Sequence, residues 1–352
     1  MRGTPFLDRW PWRRRPVRRG LVLAGGGVIG GMYEVGALAA LEETLPGFNA
    51  NTLDVYVGSS AGSVVAALMA NGIRPRELYT ILDEGRDDPL NFQRGAIFHR
   101  GASAGAAWNF AQVLWAVGKN VVSNLHLDWP DILARSQGEM PPGFYSLRNL
   151  EEFIRQAFAA RGLSNDFRSC ARPLLIPAID IDRGERVVFG RDGHSAVPIS
   201  EAIAASSAIP GFFEPYHIGG CDYVDGDVGF TGHADLAVEA GARLLIVVNP
   251  LVPRREAATG ATLRRHGLYG ILEQVGRINS QNLLEGGLRE LLLREPDLAC
   301  HLVQPRADGA PVFGPSMGFE ASRQALRFGY TSTREWVAAQ GAALKRRFAE
   351  SA

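Results

Sequence analysis

A serine framed by glycines, with a run of glycines well upstream of it, supplies the residues of this chain most able to do chemistry. Gly58-Ser59-Ser60-Ala61-Gly62 follows Val55-Tyr56-Val57 and leads into Val64-Val65-Ala66-Ala67-Leu68-Met69. The spacing is that of a G-x-S-x-G nucleophile elbow, with Ser60 at the centre of a sharp turn between a strand and a helix. The upstream run, Gly25-Gly26-Gly27-Val28-Ile29-Gly30, follows Leu21-Val22-Leu23-Ala24. Its backbone N–H groups offer a place to hold an oxyanion beside that serine. A nucleophile and an anion hole together are the equipment of an acyl hydrolase.

The glycine run also carries a second reading. Gly25, Gly27 and Gly30 match G-x-G-x-x-G, the dinucleotide fingerprint, between a strand and a helix. That reading needs an acidic residue at the end of the following strand. Asp54 is the nearest, and it lies at the strand's start; the strand ends instead in the serine turn. The oxyanion reading uses both motifs, whereas the dinucleotide reading leaves Ser60 without a task.

A serine hydroxyl needs a base to take its proton. None of the seven histidines (His99, His126, His194, His217, His233, His266 and His301) is singled out by its setting. Only His301, near a late strand, has the chain position of a triad histidine. A different base is offered by Tyr223-Val224-Asp225-Gly226-Asp227, where an aspartate leaves a short strand into a glycine turn. A solvated Asp-Gly turn is the plainer account of the same residues.

These residues must be positioned by elements, and strand-like and helix-like segments alternate along the chain. The pattern predicts a mainly parallel sheet covered by helices. Strands are expected at Leu21–Ala24, Asp54–Val57, Leu174–Ile181, Arg186–Phe189, Leu244–Asn249 and Ala299–Val303. Helices are expected at Met32–Leu45, Gly62–Asn71, Leu150–Ala160, Ile199–Ser206 and Ala234–Ala240, with longer ones near Leu268–Leu293 and Gly318–Phe348. Residues 85–143 are the least regular and carry Trp108, Phe110, Trp115 and Trp129. They read either as helices packed on the sheet edge or as a cap that presents aromatic surface to acyl chains.

Composition narrows the classes. The 352 residues suffice for one large α/β core, and 46% hydrophobic with 21% charged residues is ordinary for a globular protein. A net charge of +0 gives no reason to expect nucleic acid as a partner. The three cysteines are far apart and odd in number, which fits a reducing compartment and no metal-ligand pattern. Residues 1–20 hold seven arginines against one aspartate, with Trp10 and Trp12 among them. A signal peptide or membrane span is rejected here, because the apolar stretch that follows is broken by glycines and Glu34. The basic arm over residues 1–19 reads as a flexible tail, or as a contact for anionic lipid headgroups. Neutral charge and the lack of a span point to a cytoplasmic protein that visits lipid surfaces peripherally and transiently.

The order glycine run, G-x-S-x-G, Asp-Gly resembles the patatin-like phospholipases. Ala204-Ala205-Ser206-Ser207-Ala208-Ile209-Pro210-Gly211-Phe212-Phe213-Glu214-Pro215 is similar to the A-S-x-A-x-P-x-x-F-x-P block that precedes the Asp-Gly in that family. The likeness covers residues 20–250, with Phe328-Gly329-Tyr330 as a continuation within a helical stretch over 251–352 of the same domain. It implies a three-layer α/β/α fold with a central mainly parallel sheet. It also implies a Ser–Asp dyad, with Ser60 as nucleophile, Asp225 as base and Gly25, Gly26 and Gly27 at the oxyanion hole. The chemistry implied is cleavage of fatty-acyl esters of lipids or phospholipids through an acyl-enzyme, with no metal or organic cofactor. Four departures stand out. Ile29 occupies a place where family members carry Arg or Lys, and the spacing from Gly30 to Gly36 is one residue longer than usual, which shifts the expected helix start. Asp227 stands where Gly or Ala is common, and Phe230-Thr231-Gly232-His233 replaces the usual Asn and Pro. A Ser–Asp–His hydrolase using His301, a nucleotide-dependent oxidoreductase and a non-catalytic lipid-binding or scaffold protein remain as rivals.

Overall fold

The computed structural model describes residues 17–92, 108–116, 119, 131, 136–191, 193–254, 263–305 and 321–351. Residues 1–16 of the basic arm, with Trp10 and Trp12, lie outside these, as do 93–107 and Trp129 of the aromatic stretch.

Eight strands form one sheet: β1 (Arg19–Leu23), β2 (Val55–Gly58), β3 (Leu174–Asp180), β4 (Glu185–Phe189), β5 (Tyr216–Ile218), β6 (Cys221–Val224), β7 (Leu244–Val248) and β8 (Ala299–Val303). Their order is β5-β6-β3-β2-β1-β7-β8, with β4 also paired to β3. The run from β3 to β8 is parallel, and β4, β5 and β6 add antiparallel pairs at the other end. The apolar strands are buried on both faces, as parallel strands between helical layers must be. Leu21, Leu23, Tyr56, Leu174 and Ile176 face one core, and Val22, Val55, Val57 and Leu175 face the other, so side chains alternate strictly between layers.

The first core is covered by α1 (Gly27–Thr44), α2 (Ala61–Ala70), α3 (Pro75–Glu84), α4 (Arg148–Ala160) and α5 (Ile199–Ser206). The second is covered by α6 (Ala234–Glu239) and α7 (Gly267–Arg294). The C-terminal helices α8 (Ser322–Gln340) and α9 (Ala342–Ser351) return to the first side. The arrangement is the three-layer α/β/α fold expected from the sequence. Among the described residues, no helix is long and apolar enough to cross a membrane.

Helix α1 is buried almost throughout, which explains why it is apolar on every side rather than amphipathic. It crosses α8 at backbone contact. A Cβ on Gly36 would lie 2.0 Å from the Leu326 carbonyl oxygen, and one on Gly329 would lie 2.2 Å from that of Tyr33.

Boundaries differ from expectation in instructive places. Helix α1 starts at Gly27 rather than Met32, because the glycines supply the helix's first turn instead of a separate loop. The long C-terminal helix breaks at Gly341 into α8 and α9. Helix α3 was not expected, although Pro75 opens it and Gly85, at φ 66°, closes it in the left-handed region. In the aromatic stretch, residues 108–116 are helical, with Trp108 and Trp115 more than 60% exposed at 66% and 62%.

Candidate active site

Ser60 sits where β2 turns into α2, at φ 49° and ψ −128°, and His233 is the other non-glycine residue with positive φ among those described. Such a conformation costs on the order of 1–3 kcal/mol and must be held by its surroundings. The close packing of the turn does part of this. A Cβ on Gly62 would lie 2.6 Å from the Leu23 carbonyl oxygen, so only glycine lets α2 start so near the end of β1. Hydrogen bonds do the rest. The Ser60 N–H donates to Ser206 Oγ at 3.0 Å, and Ser206 Oγ donates to the Pro177 carbonyl at 2.6 Å. The Ser60 carbonyl accepts from both the Ser63 N–H at 3.0 Å and Ser63 Oγ at 2.5 Å.

Asp225 follows the last residue of β6 and is 5% exposed. Its N–H donates to the Ala208 carbonyl at 2.9 Å, tying the turn to the residues after α5. Oδ1 accepts from the Asp227 N–H at 2.9 Å. Oδ2 is buried without a hydrogen bond of normal geometry, while the Ser60 hydroxyl lies near enough to favour the charged form of the carboxyl. Burial, and then the negative charge of Asp227, push the Asp225 pKa well above the usual carboxylate range. The structure thus brings Ser60 and Asp225 together from sites far apart in sequence.

The three glycines of the run differ in their surroundings. Gly25 packs between Ser60 and Asp227: a Cβ there would lie 2.6 Å from Ser60 Cβ and 2.0 Å from Asp227 Oδ2. Its N–H lies near enough to the Asp227 carboxylate to favour the charged form. Gly26 and Gly27 form the N-cap and first residue of α1, where backbone N–H groups have no partner within the helix. An anion placed there also meets the positive end of the helix dipole. Ile29, in the place expected for a cation in the family, is buried in the same first turn.

Three participants were not picked out by sequence reasoning. Asp227 Oδ1 accepts from Ser59 Oγ at 2.6 Å, so the second aspartate of the turn also reaches the elbow. Burial raises its pKa. His233 lies buried behind the turn with Nε2 at 2.9 Å from the Gly226 carbonyl and Nδ1 at 3.3 Å from Arg186 Nη1. A carbonyl only accepts and a guanidinium only donates, so these partners assign a neutral ring with the proton on Nε2. Burial, then the neighbouring Arg186, lower the His233 pKa in agreement. Glu34 on α1 is fully buried, with neither carboxyl oxygen hydrogen-bonded, and burial together with Asp227 raises its pKa well above the ordinary value. Nothing local in the sequence marks these roles, because each depends on contacts between distant segments.

His301 lies within β8 opposite Ile246, and both β7 and β1 stand between β8 and β2. Asp54 is engaged at the start of β2, where it accepts from the Arg19 N–H at 2.8 Å. No group of three or more potential metal ligands is found among the described residues.

Ser60 opens onto a cavity of about 120 Å3 whose walls are almost wholly apolar. Met32, Val64, Leu68, Leu150 and Phe158 are among the side chains lining it, and Gly27 and Val28 lie at the glycine end.

Comparison with known proteins finds similarity to one bacterial protein in sequence and to two solved structures, among others. Uncharacterized protein YqhO of Bacillus subtilis (strain 168) is 26% identical over 219 residues, which cover 59% of this chain and 62% of that protein. Less than two thirds of that relative's length is therefore matched. The crystal structure of VipD from Legionella pneumophila aligns at 15% identity and a TM-score of 0.38, covering 92% of this chain and 67% of VipD. The type III effector protein ExoU aligns at 16% identity and a TM-score of 0.38, covering 95% of this chain and 54% of ExoU. These two structural likenesses are too distant to carry an inference about activity. The family comparison is decisive: residues 21–231, well over half the chain, match the patatin-like phospholipase family. With both the Ser60 elbow and the Asp225 turn inside the matched segment, the chain belongs to the patatin-like phospholipases.

Proposed function

We propose that this protein is a serine hydrolase that cleaves fatty-acyl esters of lipids through a Ser60–Asp225 dyad. The observation that carries this reading is the meeting of a strained, buried serine, a buried carboxyl and an apolar cavity at one point. Family membership favours a lipid substrate of the phospholipase or lysophospholipase kind.

In the proposed reaction Asp225 takes the proton of Ser60 Oγ as that oxygen attacks the ester carbonyl carbon. The carbonyl π electrons move to oxygen, and the resulting oxyanion is held by N–H groups at the start of α1, those of Gly26 and Gly27 first. The tetrahedral centre collapses, the C–O bond to the alcohol breaks, and Asp225 returns its proton to the leaving oxygen. Water then repeats the sequence on the acyl-Ser60 ester, with Asp225 taking the water proton, and releases the carboxylic acid. A carboxylate of ordinary pKa is a weak base for a hydroxyl; burial and Asp227 make this one stronger. The apolar cavity accepts the acyl chain. Contact with a lipid surface is transient in this reading and involves exposed side chains such as Trp108, Phe110 and Trp115.

The test is labelling with a lipid-like fluorophosphonate, mapped by mass spectrometry, on wild type, Ser60→Ala, Asp225→Asn and His301→Ala. An adduct on Ser60 that falls sharply in Asp225→Asn and persists in His301→Ala supports the dyad. Loss of labelling in His301→Ala with retention in Asp225→Asn supports a triad instead. A folded wild type that takes no label and hydrolyses no ester supports a lipid-binding protein without catalysis.

A further inference from the structure

Asp227 occupies a place where the family pattern has Gly or Ala, and its carboxylate is not idle in solvent. It joins three segments that must keep register for the site to exist. Ser59 Oγ, at the end of β2, donates to Asp227 Oδ1 at 2.6 Å. The Gly25 backbone, just after β1, packs against the same carboxylate: a Cβ there would lie 2.0 Å from Asp227 Oδ2, so the approach exists only because Gly25 has no side chain. The Asp227 N–H in turn donates to Asp225 Oδ1 at 2.9 Å, which orients the base. Nucleophile turn, glycine run and base turn therefore meet at one side chain. Any residue without an acceptor here would leave the Ser59 hydroxyl to find another partner.

We propose that Asp227 is a positioning residue of the Ser60–Asp225 site, clamping the glycine run and the nucleophile elbow to the base turn and placing a second negative charge beside the base. The inference rests on the dyad reading above and adds a residue that the family pattern lacks. Its electrostatic half follows from position. Two carboxylates in one water-poor site cannot both ionise at the ordinary carboxylate pH, so the first charge raises the proton affinity of the second. Asp227 contributes in this way to the raised pKa of Asp225, after burial. The groups facing Asp227 are Asp225 in its own turn, Ser59 after β2, Gly25 after β1 and Glu34 on α1, with His233 behind the turn at the Gly226 carbonyl.

The sign follows directly. Asp225 acts as base only when deprotonated, so activity falls as pH drops through its raised pKa. Asp227→Asn keeps an oxygen acceptor for Ser59 and Gly25 but removes the charge, so Asp225 releases its proton at lower pH. The acid limb of kcat/KM should move down by about one pH unit in Asp227→Asn. Asp227→Ala, which also breaks the clamp, should in addition lose about tenfold or more in kcat at every pH. Asp227→Glu should restore part of the high-pH limb.

The experiment pairs the pH profile of kcat/KM on a soluble short-chain ester with a 13C NMR titration of the aspartate carboxyls in wild type, Asp227→Asn and Asp225→Asn. Thermal unfolding checks that each variant is folded. A lowered Asp225 titration in Asp227→Asn supports the proposal, and a matching move of the acid limb ties it to catalysis. An Asp225 titration and an acid limb both unmoved in folded Asp227→Asn would overturn it, since a purely structural role changes rate without moving the limb. A protein that shows the shifted titration but hydrolyses nothing would sink the dyad reading alone and leave the coupled carboxyls standing.

Discussion

Ser206 Oγ accepts a hydrogen bond from the Ser60 N–H at 3.0 Å and donates its own to the Pro177 carbonyl at 2.6 Å, so one hydroxyl holds the Ser60 backbone against β3. This gives a physical task to the serine in the A-S-x-A-x-P block. Ser206 is fully buried, and its loss would leave the Ser60 amide without an acceptor in a place water does not reach. Ser206→Ala should therefore cost roughly 1–3 kcal/mol of stability. It should also lower kcat more than it raises KM, since what it loosens is the angle of the attacking oxygen. Thermal unfolding together with ester kinetics checks both halves.

The backbone of Ser60 is strained for any residue with a Cβ and relaxed for glycine. Ser60→Gly and Ser60→Ala should both abolish hydrolysis, but only the glycine variant should be more stable than wild type, by about 1 kcal/mol. Equal melting temperatures for the two variants would mean that the turn stores no strain.

Glu34 is a buried acid with no hydrogen-bond partner for its carboxyl oxygens, held in the neutral form because burial raises its pKa. In the unfolded chain the same group ionises near its ordinary value of 4.5. The folded state then binds the extra proton, so the contribution of Glu34 to stability declines as pH rises above that value, by up to about 1.4 kcal/mol per pH unit while Glu34 stays protonated when folded. Glu34→Gln removes the dependence without changing the shape or the charge of the folded site. Its stability relative to wild type should grow from pH 5 to pH 8, as read by urea unfolding at several pH values. A gap that stays constant with pH would show that Glu34 is already ionised in the fold.

On the proposed function, the walls of the cavity at Ser60 set which acyl groups fit. Leu68→Trp adds bulk to a wall that is otherwise aliphatic and aromatic side chains. It should raise KM for long-chain esters at least several-fold while leaving acetyl or butyryl esters near wild type. A uniform loss across chain lengths would place the acyl group elsewhere.

The layers of the fold were legible because their signal is local. Leu21-Val22-Leu23 and Tyr56-Val57 are apolar at every position, and only a sheet covered on both faces can absorb such runs. Ser60 stands at the strand-to-helix turn where its glycine spacing put it, for the same reason. The start of α1 was misread because Gly25-Gly26-Gly27 look like a loop, whereas Gly26 caps the helix and Gly27 is its first residue. β5 escaped notice because Tyr216–Ile218 is too short to show a period. The supporting residues were illegible for a different reason. Asp227 meets Ser59 from 168 positions away, and Ser206 meets Ser60 from 146 away. No window of sequence contains both partners, and a buried acid such as Glu34 looks in sequence like a surface residue on a helix.

The crossing of Gly36 and Gly329 has one more consequence. Helix α1 carries the glycine run at its first turn and touches the backbone of α8 farther along, with no side chain between to absorb a displacement. The two helices behave as a beam resting on a hard support rather than on a cushion. A single methyl group at either glycine would tilt the beam, and the far end of that tilt is the place where an oxyanion would sit. Residues 322–340 lie outside residues 21–231, the segment matched to the family. The alignment of the glycine run is thus set in part by a helix that contributes no group to it, and on the proposed function a change in that helix would reach the chemistry by leverage.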